Sequence, residues 1–164
     1  MESELDAGAN LTQMIDVGAK PDTRREAVAE GMIKMAPTTV EMVRQSTLPK
    51  GNALETARVA AIMAAKRTPE FIPLCHPLLI SHVSCEFACD VEHGVIHVTT
   101  RVRCAGKTGV EMEALTAATA ALLTIYDMTK GVDDTLEILN VRLLEKRGGK
   151  SDYKINHQDT KTQS

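Results

Sequence analysis

The stretch from Lys107 to Lys130, KTGVEMEALTAATAALLTIYDMTK, constrains the fold more than any other part of the chain. Its pattern predicts one long helix. Thr108 and Glu111 have the S/T-x-x-E spacing of a capping box, Gly106 and Gly109 bracket the entry, and Gly131 stands where a helix commonly stops. Leu115, Ala118, Leu122 and Ile125 recur at intervals of three and four, an apolar stripe whose edge Met128 continues. About twenty residues at ~1.5 Å each span about 30 Å, the width of a small domain. The small residues of TAATAA, 116–121, leave room for another backbone to pack closely.

The charges on this helix are less routine. Glu111 and Glu113 fall in its first turn, Asp127 and Lys130 in its last. Early carboxylates and a late lysine suit the helix dipole, but Asp127 faces its negative end. Glu113 and Asp127 lie on nearly one face, about 21 Å apart along the axis at ~1.5 Å per residue. One chain cannot bring both to one small pocket. If they share a pocket, two copies of the chain build it.

The flanking sequence supplies partners. Residues 25–35, REAVAEGMIKM, have helical propensities, while the alternation of Ala27, Ala29, Ile33 and Met35 allows a strand; both readings stay open. Pro37, Thr38 and Thr39 open a short helix, TTVEMVRQS. The loop LPKG carries Lys50, and Asn52 with Glu55 forms a second capping box for a helix reaching about Arg67. Lys50 is therefore either a solvated loop lysine or a mobile cation near an anion-binding helix start. TPEFIPLCHPLL holds prolines at 69, 73 and 77, and Pro77 pushes His76 toward extended backbone on a stiff loop. Ser81 to Val91 and Val95 to Cys104 alternate around the turn Glu92-His93-Gly94, a hairpin with one wet face. A last strand, about Leu136 to Lys146, is expected to place Leu139, Val141 and Leu143 on one face. The GGK that follows lacks the full phosphate-loop pattern.

With residues 25–35 as a strand the order becomes β-α-α-β-β-α-β. That is an α+β fold, a ferredoxin-like sandwich with helices on one face of an antiparallel sheet. Residues 1–22 read as a mobile N-terminal segment, 23–150 as a single domain and 151–164 as a polar tail, mostly disordered.

Several classes are disfavoured. A net charge of -3, 2% aromatics and no Trp argue against nucleic-acid binding. No apolar run is long enough to span a bilayer, and the N-terminus lacks the regions of a secretory signal, so a cytoplasmic protein is expected. Cys75, Cys85, Cys89 and Cys104 contain no C-x-x-C pair and read as free thiols; a Cys75/His76 metal site needs ligands from elsewhere.

The strings KTGVEMEALTAA, LTIYDMTK, IPLCHPL, AAKRT, LPKGN and RLLEKRGGKS closely resemble the MoaC family of molybdenum cofactor biosynthesis, the cyclic pyranopterin monophosphate synthases. The likeness runs from about Met14 to Ser151. One departure is visible: the family tail commonly has a glycine after GGKS, where this chain has Asp152. The resemblance implies a homohexamer, a trimer of dimers, with pockets at subunit interfaces. It implies a substrate that is a guanosine triphosphate already cyclised between base and ribose, a cyclic phosphate product, and release of pyrophosphate. Lys50, Asp127 and Lys130 match catalytic positions, one lysine serving as acid and the other as base. His76 with its neighbour Cys75, Glu111, Met112 and Glu113 match binding positions, and Lys66 and Lys146 are candidates for the triphosphate. No tightly bound cofactor or metal is implied, though magnesium can accompany the phosphates. Without the resemblance, a non-catalytic nucleotide- or pterin-binding module stays level with an acid/base enzyme. What favours the enzyme is Lys50, Asp127 and Lys130 together with two first-turn glutamates, because a sensor needs no proton-transfer set.

Overall fold

The computed structural model describes residues 11–155. The ambiguous segment is a strand, β1 (Thr23–Lys34). Ala27, Ala29 and Ile33 are fully buried on one of its faces, so tertiary burial overrides helical propensity. Next come α1 (Pro37–Arg44), α2 (Ala53–Lys66) and a single turn, α3 (Thr68–Phe71). The hairpin is β2 (Ile80–Asp90) with β3 (Val95–Gly106), followed by α4 (Glu111–Thr129), β4 (Glu137–Arg147) and a two-residue β5 (Tyr153–Lys154). The sheet is antiparallel in the order β2-β3-β1-β4-β5, the ferredoxin-like sandwich with one short strand added. Of the expected mobile and disordered ends, residues 1–10 and 156–164 lie outside the described residues. Within the tail, β5 pairs with Glu145 and Lys146, and the Ile155 N–H donates to Leu144 O at 2.8 Å.

Helix α4 lies over β1, β3 and β4, with α2 beside it over β2. Ala53, Ala57, Ala61 and Ala65 of α2 are buried at four-residue spacing. This alanine ridge lets α2 run close to Ala114, Ala117 and Ala121 of α4. Leu122 fills the space at Gly31 of β1, where a Cβ would lie 2.6 Å from its Cδ1. The buried Thr100 hydroxyl of β3 donates to Ala114 O at 2.8 Å, tying sheet to helix.

Two expectations need correction. Helix α4 begins at Glu111 and has no side-chain cap, so Thr108 and Glu111 do not form a capping box. The Glu111 carboxylate instead turns to Lys146 Nζ at 3.2 Å. For α2, Asn52 does accept from the Glu55 N–H at 3.0 Å, while the Glu55 carboxylate pairs with Arg58 at 3.2 Å. In β4, Leu139, Val141 and Leu143 do not share a face. Asn140 has φ 54° and the register against β1 shifts there. Leu139 therefore opposes Met32 on the far side of the sheet, and Leu143 opposes Ala29 on the helix side.

Candidate active site

The residues singled out from sequence gather at the two ends of α4. At the C-terminal end, Lys50 Nζ donates to Asp127 Oδ2 at 2.8 Å and to Asp127 O at 2.8 Å. Lys130 Nζ lies 2.8 Å from Asp127 Oδ1. Lys50 reaches this point because α2 runs antiparallel to α4, which brings the loop before α2 to the end of α4. Hydrogen bonds from Lys130 and then Lys50 hold the Asp127 carboxyl at about 2. The same bond and charge raise the Lys130 amine above its ordinary value. Side chains of all three are about half exposed, so the cluster is open to a ligand.

Asp133, which the sequence reading missed, holds this end in place. Its Oδ2 accepts the Ala36 N–H at 2.8 Å. Its Oδ1 accepts the Thr135 N–H at 2.8 Å and the Thr135 hydroxyl at 2.6 Å. The segment after α4 is thereby joined to the start of α1. Burial works against the charge on Asp133, but these bonds win and its carboxyl lies well below the usual range.

At the N-terminal end, Glu113 is 1% exposed. Its Oε1 receives the Cys75 thiol at 3.6 Å, and its Oε2 has no partner among the described residues. Burial pushes the Glu113 carboxyl up. Burial, and then the Glu113 charge, push the Cys75 thiol up to about 11. Cys75 is thus no thiolate near neutrality, and all four cysteines are free. Among the described residues no three His, Cys, Asp or Glu side chains converge as a metal site. His76 lines a small cavity with Leu74, Val17 and Thr108.

Thr108 also belongs to a larger cavity of about 430 Å³ on the β4 side of this helix end. Its cations are Lys20, Arg25, Lys107, Lys146, Arg147 and Lys150, against the carboxylates of Glu26 and Glu111. Sequence reasoning found only Lys146 and Glu111 of these. The others come from four separate segments, and nothing local marks them. Gly148 and Gly149 shape the rim, both in left-handed backbone at φ 91° and 89°. A Cβ on Gly148 would fall 2.1 Å from Arg24 O, so GGK serves here as a tight turn. Asp152 closes that turn by accepting the Gly148 N–H at 2.9 Å.

Met112 points away from this cavity, into a shallow apolar groove with Ala64, Phe71 and Leu123. Lys66 ends α2 on the exposed surface near the same end of α4. The two halves of the expected site stay apart within one chain: Glu111 and Asp127 are separated by about 24 Å along the helix at ~1.5 Å per residue.

A sequence profile of the MoaC family matches residues 14–149. The chain is 54% identical over 149 residues to the cyclic pyranopterin monophosphate synthase of Chloroflexus aurantiacus, covering 91% of each chain. It is 53% identical over 149 residues to the protein of that name from Chloroflexus aggregans, covering 91% of this chain and 90% of the relative. Against the Roseiflexus castenholzii protein, also so named, identity is 52% over 139 residues, 85% of this chain and 88% of the relative.

Proposed function

Because the chain belongs to the MoaC family, we propose that it is a cyclic pyranopterin monophosphate synthase of molybdenum cofactor biosynthesis, a phosphorus–oxygen lyase. The observation that carries this reading is the grip of two lysines on one carboxylate, Lys50 and Lys130 each 2.8 Å from Asp127. A binding module needs no such set.

The substrate is a guanosine triphosphate already cyclised between base and ribose. Ring opening and reclosure require protons to be moved, and closing the cyclic phosphate requires a hydroxyl to attack the α-phosphorus as the bond to pyrophosphate breaks. Asp127 remains a carboxylate at neutral pH, so it orients the two amines and gives up no proton. Lys50 and Lys130 share this carboxylate at equal distance, one serving as the acid and the other as the base. The cationic cavity at the other helix end suits a triphosphate, with Lys146 among its binders; Lys66, on the exposed surface outside that cavity, is a further candidate. Glu111 and Glu113 suit the donor-rich edge of a guanine-derived ring, with His76 and Cys75 alongside. Magnesium enters, where it enters, with the phosphates. The separation of the two groups along α4 supports interface sites in a hexamer of three dimers.

The direct test supplies the cyclised nucleotide and follows pyrophosphate together with an oxidisable, fluorescent pterin. Both appear if the assignment is right; a folded, assembled protein that yields neither sinks it.

A further inference from the structure

We infer that Arg25 is the positioning residue of the cationic cavity: its guanidinium pins together the loops that carry Lys20, Lys107 and Lys150. The inference rests on the synthase reading only for what the cavity holds.

The strand register sets the place. Arg25 stands near the start of the central strand β1, opposite Cys104 of β3, and its neighbour Glu26 stands opposite Arg147 of β4. Close beside it β3 ends at Gly106 and β4 ends at Arg147. Two loops therefore leave the sheet on either side of one half-buried arginine. Toward β3, the Arg25 Nε–H donates to Gly106 O and an Nη2–H donates to Lys107 O, each at 3.3 Å. Toward β4, the Nη1 end lies against the Gly148–Gly149 turn. A Cβ on Gly149 would collide with Nη1, and one on Gly148 would stand 3.3 Å from Cδ. The glycines leave open the space that the guanidinium fills. Lys107 Nζ in turn donates to Gly18 O at 2.6 Å, so the segment bearing Lys20 hangs on the same joint.

Nothing in the cavity competes for this arginine. Its two carboxylates are taken, Glu26 by Arg101 and Arg103 and Glu111 by Lys146. A guanidinium holds its donors in fixed directions in one plane, so it can bridge two loops; an ammonium keeps the charge but not the fork. Lys146 and Arg147 belong to β4 itself and keep their places without the pin. Lys20, Lys107 and Lys150 sit on segments outside the strands and helices. Ordering such side chains at the moment of binding costs affinity, and a joint that fixes their loops beforehand removes part of that cost. A role for Arg25 as a charge alone makes the opposite forecast, because lysine would then replace it.

The test uses the whole chain and inorganic triphosphate as the probe, with affinity read by calorimetry. Arg25→Lys should bind about tenfold more weakly than wild type, and no better than Arg25→Ala, although it keeps the charge. Gly149→Ala removes no charge and should weaken binding by a similar factor, because the new methyl evicts the guanidinium. In the Arg25→Ala background the same Gly149→Ala change should have little further effect. In turnover, Arg25→Lys should raise KM about tenfold and leave kcat within about twofold of wild type. Rescue by lysine overturns the pin, as do losses at Arg25 and Gly149 that add in full, or a wild type that does not bind the probe. If circular dichroism shows that Gly149→Ala fails to fold, the comparison of Arg25→Lys with Arg25→Ala decides. The two readings fail separately: the expected binding pattern in a protein that makes no product sinks the synthase reading, and product from a protein whose Arg25→Lys variant binds the probe as wild type does sinks the pin.

Discussion

Asp133→Asn isolates the joint between the segment after α4 and the start of α1. Asparagine preserves the shape and one carbonyl oxygen, which can still receive Thr135. Its amide then meets the Ala36 N–H donor to donor, so a bond of 2.8 Å becomes a mismatch. A hydrogen bond to a charged acceptor is worth about 1.5–3 kcal/mol, and a donor left without a partner costs about 1–3 kcal/mol. Asp133 is only 9% exposed, so water compensates little, and a net loss of about 3 kcal/mol is expected. For a domain of this size, where 1 kcal/mol shifts the melting point by roughly 2–4 °C, that is about 6–12 °C. Thermal unfolding followed by circular dichroism measures it. The pH dependence gives the sharper signature. A carboxyl depressed in the folded state contributes stability that is fully present above its unfolded value, 3.8 for Asp133, and is lost as pH falls toward the folded one. The gap between wild type and Asp133→Asn should be flat from pH 7 to about 4.5, then close by up to about 1.4 kcal/mol per pH unit below 3.8. A gap under 0.5 kcal/mol (roughly the scatter of an inert surface change) at pH 7 refutes the reasoning. So does one that stays constant down to pH 2.5.

Other expected outcomes follow from the site. Lys50→Ala and Lys130→Ala should each cost on the order of 10²–10⁴ in turnover with substrate binding largely kept, as removal of a proton-transfer group does; steady-state kinetics with unchanged turnover would rule out the acid and base roles. Gly148→Ala, in left-handed backbone and 2.1 Å from Arg24 O, should displace the rim of the cationic cavity and raise KM for the triphosphate more than it lowers kcat. An unaltered KM removes that cavity from the binding site. Glu113→Gln should leave stability similar below about pH 4.5 and raise it above, because the raised carboxyl of wild type loses its contribution as pH climbs through its folded value. The melting point across pH 4–8 checks this, and a wild type more stable than the variant at pH 8 contradicts it.

Much of the architecture was legible because it rests on periodicity. The hairpin and α2 follow from alternation and from the Asn52 cap. So does the body of α4, whose buried residues Ala118, Leu122 and Ile125 lie on the expected stripe. Three things were not legible. The conformation of residues 25–35 depended on burial between β3 and β4, which no local propensity reports. The start of α4 moved from Thr108 to Glu111 because a lysine 35 residues further along the chain, Lys146, competes for the Glu111 carboxylate. The faces of β4 moved because Asn140 inserts an extra residue into the ladder, and a period-two pattern assumes none. The same contrast holds at the candidate site. Lys50, Asp127 and Lys130 stand in recognisable strings, and the structure brings them together. Asp133 and most of the cationic cavity were silent, since their meaning lies in backbone groups and strands far away in sequence.

The bulge at Asn140 has a counterpart. A second register shift follows near Leu144, so that Ile33 opposes Ile138, Ala29 opposes Leu143 and Ala27 opposes Lys146. The two shifts act like a frameshift and its suppressor. Between them the strand is read one residue out of phase; beyond the second, the original phase returns and Lys146 faces Glu111. Deleting Asn140 removes the extra residue itself: Val141 then falls opposite Gly31, the pairs Ala29 with Leu143 and Ala27 with Lys146 are kept, and Lys146 should stay on the Glu111 side. Turnover kept by the Asn140 deletion would show that β4 stores the position of Lys146 as its pairing with Ala27, not as a distance along the strand; loss of turnover with the fold intact would refute this.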